Sequence, residues 1–146
     1  MTVLTRAVEK SDYENWCDLW TGYLAYYETT LPDDHKRLAF GRLLDPDTNV
    51  HGLLAVDNGH PVGLVHYIYH EHMWRAEGIC YLQDLYADPT VRGKGIGRKL
   101  IEAVYEEADK AGVPKVYWLT QDFNTTARKL YDRIGKLGPF IKYERP

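Results

Sequence analysis

Leu82-Gln-Asp-Leu-Tyr-Ala-Asp-Pro-Thr-Val-Arg-Gly-Lys-Gly-Ile-Gly97 decides the architecture, because it runs from a strand through a glycine-rich turn into a helix. The strand reads as Ile79–Ala87 and is ended by Asp88-Pro89. Beyond the turn, Ile96, Leu100, Val104 and Ala108 recur on one helical face, and Gly112 and Pro114 close that helix. Three alternate glycines let the backbone curl closely around a ligand with its N–H groups turned inward. The helix adds the positive end of its dipole, and Arg92, Lys94, Arg98 and Lys99 add full charges, so the turn suits a diphosphate. The spacing is G-x-G-x-G. It is neither the phosphate loop G-x-x-x-x-G-K-[ST] nor G-x-G-x-x-G with an acid about 20 residues on, which argues against a Rossmann dinucleotide site.

Working outward, Ser11-Asp-Tyr-Glu14 reads as a capping box. It opens a helix whose Tyr13, Trp16, Cys17, Trp20, Leu24 and Tyr27 share one face. Asp33–Leu44 reads as a second helix. Val50–Asp57 and Pro61–His70 read as strands around Asn58-Gly59, here in a loop slightly longer than two residues. Lys115–Thr120 is a β-branched and aromatic strand, and Asn124 caps a helix to about Arg133 with Gly135 just past its end. Short strands at Val3–Val8 and Phe140–Tyr143 complete an α+β order, a mixed sheet with helices on its faces.

The chain has 146 residues, 45% of them hydrophobic and 19 aromatic, enough apolar matter for a core and about one domain in length. No run approaches a membrane span and no secretory signal opens the chain, so a cytoplasmic protein is expected. Cys17 and Cys80 alone make no disulfide framework. Residues 1–60 hold 10 acids and 5 bases, whereas residues 61–146 hold 11 acids and 13 bases. A chain with net charge −3 is not a generic nucleic-acid binder, and the split suits a cationic ligand in front and an anionic one behind.

The stretch quoted above resembles the acetyl-CoA motif of the GNAT superfamily of N-acetyltransferases, written R/Q-x-x-G-x-G/A and filled by Arg92, Gly95 and Gly97. Val116-Tyr-Trp-Leu-Thr-Gln-Asp-Phe-Asn124, with Ala127 and Leu130-Tyr131, is similar to the family's second characteristic stretch. The likeness is greatest to the small histone/polyamine-type and diamine acetyltransferases. It implies one acetyl-CoA-dependent domain over 1–146, with a mostly antiparallel sheet, helices on both faces and a splayed V between strands 4 and 5. It implies that Leu85, Tyr86 and Ala87 pair with pantetheine, that Arg92, Gly93, Lys94, Gly95, Ile96, Gly97 and Arg98 hold the diphosphate, and that Asn124 and Ala127 flank the cofactor. Tyr131 matches the general acid for the leaving thiolate, and the same likeness implies a homodimer pairing through the last strand or the exposed sheet edge, with Phe140–Tyr143 offering such an edge.

The implied reaction is acetyl transfer to a primary amine, a small cationic amine or lysine-like side chain, by direct attack. An amino acid or xenobiotic amine, or a non-catalytic acyl-CoA sensor, stands as the alternative. The amine must lose a proton before it can attack. The related diamine enzymes carry Glu where this chain has Gln83, and an amide is no base. Strand alternation puts the neighbouring Asp84 on the opposite face, as a structural or cation-paired group. A water chain, His66 or His70 are the other candidates. His66 and His70 are about 13 Å apart along a strand, too far for one ion, so no catalytic metal is expected. Tyr23, Tyr26, Tyr27, Glu28, Trp74 and Arg75 are candidates for the acceptor side, where aromatics with an acid suit an alkylammonium.

Overall fold

Alternation with period two and one tight turn set the register of the sheet. The computed structural model describes residues 2–91 and 93–146. Its elements are β1 (Val3–Ala7), α1 (Tyr13–Tyr26), α2 (Asp33–Leu44), β2 (Val50–Asp57), β3 (His60–His72), β4 (Arg75–Ala87), α3 (Ile96–Lys110), β5 (Val116–Tyr117) and α4 (Thr125–Ile134). The sheet order is β1-β2-β3-β4-β5, antiparallel throughout except for the parallel β4–β5 pair. Asn58 (φ 51°) and Gly59 (φ 80°) join β2 to β3 directly, with Asp57 opposite His60. Two successive left-handed residues make the primed turn that matches strand twist, so the loop is two residues and no longer.

Each face of the sheet has its own core. On one face, α3 lays Ile96, Leu100, Ile101 and Val104 over Leu53, Val65, Tyr67, Cys80 and Leu82. Its end is a Schellman motif: Gly112 (φ 75°) donates to the Asp109 carbonyl and Val113 to that of Ala108. On the other face, Trp16, Leu19, Trp20 and Leu24 of α1 and Phe40 of α2 cover Leu54, Val56 and Leu64. The entry to α1 differs from the expected Ser11 capping box. A 3₁₀ turn, Lys10–Asp12, precedes it, and the Asp12 carboxylate accepts from the Glu9 amide at 2.7 Å and from both Arg6 guanidinium nitrogens at 2.7 and 2.9 Å.

Two expected strands are cut back. Lys115–Thr120 contributes only Val116 and Tyr117, paired with Cys80 and Tyr81. Beyond that pair β4 and β5 part, which is the V expected between strands 4 and 5. Phe140–Tyr143 forms no strand: the tail from residue 136 is irregular and Phe140 is 89% exposed. A strand needs a ladder partner, and a two-residue β5 offers it almost none.

The approach of α3 to β3 is closest at Gly63. A Cβ there would lie 2.7 Å from Ile96 Cγ2, 3.0 Å from the Tyr86 carbonyl oxygen and 3.2 Å from Leu100 Cδ1. Gly63→Ala must therefore push the start of α3 off the sheet, and we expect a loss of about 1–3 kcal/mol in denaturant unfolding. An unchanged midpoint would mean that the helix is not seated on this residue.

Candidate active site

One extra residue shapes the site. His66 of β3 lies opposite Asp84 while its neighbour Tyr67 lies opposite Leu82, so Gln83 is a β-bulge. The bulge resets the parity of β4. Leu82 faces α3, Asp84 faces α1, and Leu85 and Ala87 return to the α3 side. The expectation that Gln83 and Asp84 point to opposite faces is thus overturned. Both line one cavity of about 190 Å³, together with Trp20 from α1 and His35 and Arg42 from α2.

Asp84 is 8% exposed and His66 5%. The Asp84 Oδ2 lies 2.8 Å from His66 Nδ1 and 3.3 Å from Trp20 Nε1. His66 Nε2 lies 2.8 Å from Trp16 Nε1. A carboxylate in this position is held by N–H donors rather than by a permanent cation. The Tyr23 hydroxyl is pushed up by burial and further by the adjacent Asp84 charge. Neither histidine proposed as a base has a ring nitrogen to spare. His70 Nδ1 lies 2.9 Å from the Glu71 carbonyl oxygen and its Nε2 3.0 Å from the Tyr117 hydroxyl.

Across the V, α4 brings Tyr131 against Trp118, with ring centroids 5.5 Å apart. Burial pushes the Tyr131 hydroxyl up, with smaller contributions from Tyr27 and Tyr26 at the end of α1. Tyr23 and Tyr27 pack with centroids 5.1 Å apart, and Tyr81 stacks on Tyr117 at 4.9 Å. Trp74 takes no part: it stands 90% exposed at the β3–β4 tip and lies outside the cavity lining.

The glycine-rich turn fits a diphosphate. Gly93 (φ 75°) and Gly95 (φ 67°) have left-handed backbones, and a Cβ on either would meet nothing within 4 Å, which leaves an open cradle before α3. No acid occupies the first turn of α3 to compete for its N–H groups. Lys94 and Lys99 are exposed there and Ile96 is buried under them. Arg98 departs from the expectation, since its Nε donates to Glu102 at 2.6 Å along the helix. Arg92 lies outside the described residues. Asn124 caps α4, accepting from the Ala127 amide at 3.3 Å. Leu85, Tyr86 and Ala87 pair with Val65, Leu64 and Gly63 on one edge, and their other edge faces the V. Arg42 and the Trp16–His66 pair were not foreseen. Two adjacent polar residues between Leu82 and Leu85, an apolar spacing of three inside a strand, are the signal for the bulge.

A model of the acetyltransferase (GNAT) family matches residues 13–135. The D-amino-acid N-acetyltransferase HPA3 of Saccharomyces cerevisiae is 37% identical over 145 residues, covering 98% of this chain and 90% of that protein. The thialysine N-epsilon-acetyltransferase of Bos taurus is 36% identical over 74 residues, covering 51% of this chain and 43% of that protein. The solved structure of AAC(6')-Iy with the bisubstrate analog CoA-S-monomethyl-acetylneamine superposes with a TM-score of 0.84 at 20% identity, covering 100% of this chain and 99% of that one.

The geometry around Asp84 separates charge from hydrogen bonding. Asp84→Asn keeps one oxygen to accept from His66 and Trp20 and should cost about 1 kcal/mol or less, whereas Asp84→Ala orphans two buried N–H groups and should cost about 2–3 kcal/mol. Urea unfolding of both variants checks this, and equal losses would contradict the hydrogen-bond assignment.

Proposed function

We propose, from the premise that this chain belongs to the acetyltransferase (GNAT) family and acetylates an amine with acetyl-CoA, that its acceptor is a small amine carrying its own carboxylate. The single observation behind this reading is the cavity at the bulge, which is lined by the anionic Asp84 and the cationic Arg42 as well as by Gln83. An ammonium beside Asp84 and a carboxylate beside Arg42 match a zwitterion better than they match a polyamine, which would set a second cation against the guanidinium. The relative that spans 98% of this chain is described as a D-amino-acid N-acetyltransferase, which supports an amino acid as acceptor.

The placement of the residues supports a role for each. Acetyl-CoA supplies the acetyl thioester. The amides of Gly93 through Gly97 receive its diphosphate, with Lys94 adding charge, while the free edge of β4 at Leu85, Tyr86 and Ala87 aligns the pantetheine and the thioester carbonyl. Asn124 keeps its side-chain N–H₂ for the pantetheine after its oxygen has capped α4. Asp84 holds the acceptor's ammonium end, Gln83 hydrogen-bonds the acceptor, and a water removes the proton. Tyr131 protonates the leaving thiolate, and a hydroxyl pushed up by burial is one that holds its proton until then. The chain is read as one catalytic domain over 1–146, acting in the cytoplasm. A homodimer is supported by the exposed Leu137, Phe140, Ile141 and Tyr143 of the tail, apolar groups that a second copy would cover.

Two measurements test these assignments. Tyr131→Phe should lower kcat about 10²-fold or more with little change in the acetyl-CoA KM, whereas Gly95→Ala should chiefly weaken acetyl-CoA, because a left-handed residue gains a Cβ in the cradle. Unchanged turnover in the first variant would reduce the tyrosine to packing.

Thiol release is then followed with D-alanine, L-alanine, ethylamine and 1,3-diaminopropane. We expect an alanine to be preferred, and Arg42→Met to raise its KM about tenfold or more while leaving ethylamine unaffected. Preference for the diamine, with no effect of Arg42→Met, would return the acceptor to the cationic class.

A further inference from the structure

A buried network behind Asp84 does more than fill space. The indole Nε1–H of Trp16 is a donor and never an acceptor. At 2.8 Å from His66 Nε2, it requires that nitrogen to present its lone pair. The ring proton of His66 must then sit on Nδ1, where it donates to Asp84 Oδ2 at 2.8 Å. An imidazolium would set an N–H of His66 against the N–H of Trp16, two donors facing each other with Trp16 fully buried. Trp20 donates to the same Oδ2, and neither bond uses Oδ1. The Asp84 carboxylate therefore stands on the wall of the cavity among N–H donors, with the Tyr23 hydroxyl close enough to hydrogen-bond it.

We propose that His66 is a positioning residue, fixed as its neutral Nδ1–H tautomer by Trp16, that holds the Asp84 carboxylate as an uncompensated anion with Oδ1 left for the acceptor's ammonium group. The inference rests on the reading that Asp84 faces the acceptor amine. Trp16 lines the same cavity, but its N–H goes to His66 and not to Asp84, so it bears on the charge that the acceptor meets through the imidazole. Without its N–H, His66 is free to protonate on both nitrogens and pair with Asp84 as a cation. The ammonium would then compete with an internal counter-ion for the same carboxylate. The other titratable groups that face this carboxylate are Tyr23 from α1 and His35 and Arg42 from α2, with Tyr27 more distant. Of these Arg42 carries a fixed positive charge, and it stands in the cavity that the acceptor's carboxylate is to fill. The remaining cation site at Asp84 thus belongs to the acceptor.

The test is spectroscopic first, so that it stands whether or not acetylation is found. Nitrogen-15 NMR of the full chain at neutral pH should show His66 with a protonated Nδ1 and a bare Nε2, and ethylammonium chloride should shift its Nδ1–H resonance while potassium chloride at equal ionic strength does not. An Nε2–H tautomer, an imidazolium, or a response to both salts alike would overturn the proposal. In Trp16→Phe, ethylammonium should bind about tenfold more weakly, and the kinetic counterpart is an acceptor KM raised about tenfold with the acetyl-CoA KM unchanged. His66→Asn, which restores a side-chain N–H toward Asp84, should keep the ethylammonium response that His66→Leu loses. Equal responses in wild type, Trp16→Phe and His66→Leu would refute the positioning role. Loss of alanine acetylation with the NMR pattern intact would instead count against the acceptor reading alone.

Discussion

A single inserted residue in β4 governs how this molecule is organised around its site. Strand side chains alternate, so Leu82 and Asp84 should share a face, and Asp84 would then be driven into the apolar layer under α3. The bulge at Gln83 prevents this by giving one position of β3 two positions of β4 to oppose. Leu82 stays beneath α3, and Asp84 turns to α1, where Trp20 and His66 wait with N–H donors. After the bulge, Tyr86 faces α1 so closely that a Cβ on Gly22 would lie 2.6 Å from its hydroxyl. Restoring strict alternation would bury a carboxylate among leucines, at a cost that no local rearrangement offsets.

The same kink bears on where β4 loses its partner. Parallel pairing with β5 is confined to Cys80 and Tyr81, and the bulge follows two residues later. The free edge that results is the kind of exposed ladder that proteins ordinarily cover. That edge, at Leu85, Tyr86 and Ala87, lies opposite the one paired with β3, and Tyr131 of α4 packs on Trp118 just past β5. On the proposed reading, an extended ligand backbone would supply the missing ladder.

Much of this was legible in the residues. The turn Arg92–Gly97 and the helix after it announced themselves because glycine spacing and 3.6-residue periodicity are both strong local signals. The bounds of α2 and the V between strands 4 and 5 came out as expected. What was not legible depended on distant partners. Phe140-Ile141 has strand composition but does not pair with β5, which ends at Tyr117. Arg98 is one turn from Glu102, and a helical ion pair answers a charge that the motif assigns to phosphate. Trp16 and His66 are fifty positions apart in the chain, and no periodicity within α1 or β3 marks one as the partner of the other.

The two halves of the site solve opposite electrostatic problems with related means. In the proposed reaction, Asp84 offers a carboxylate to the acceptor's ammonium, and Tyr131 holds a proton for the leaving thiolate. Both are governed by burial, whose effect depends on the surroundings. Burial alone favours neutral forms, which is what Tyr131 needs, and its hydroxyl is pushed up accordingly. Around the Asp84 carboxylate, N–H donors from His66 and Trp20 take the place of the water that burial removes. A lysine or arginine in place of His66 would satisfy Asp84 more fully and leave nothing for an incoming ammonium. Neutral donors stabilise the anion without cancelling it, so the site keeps its attraction for a cation that arrives from solvent.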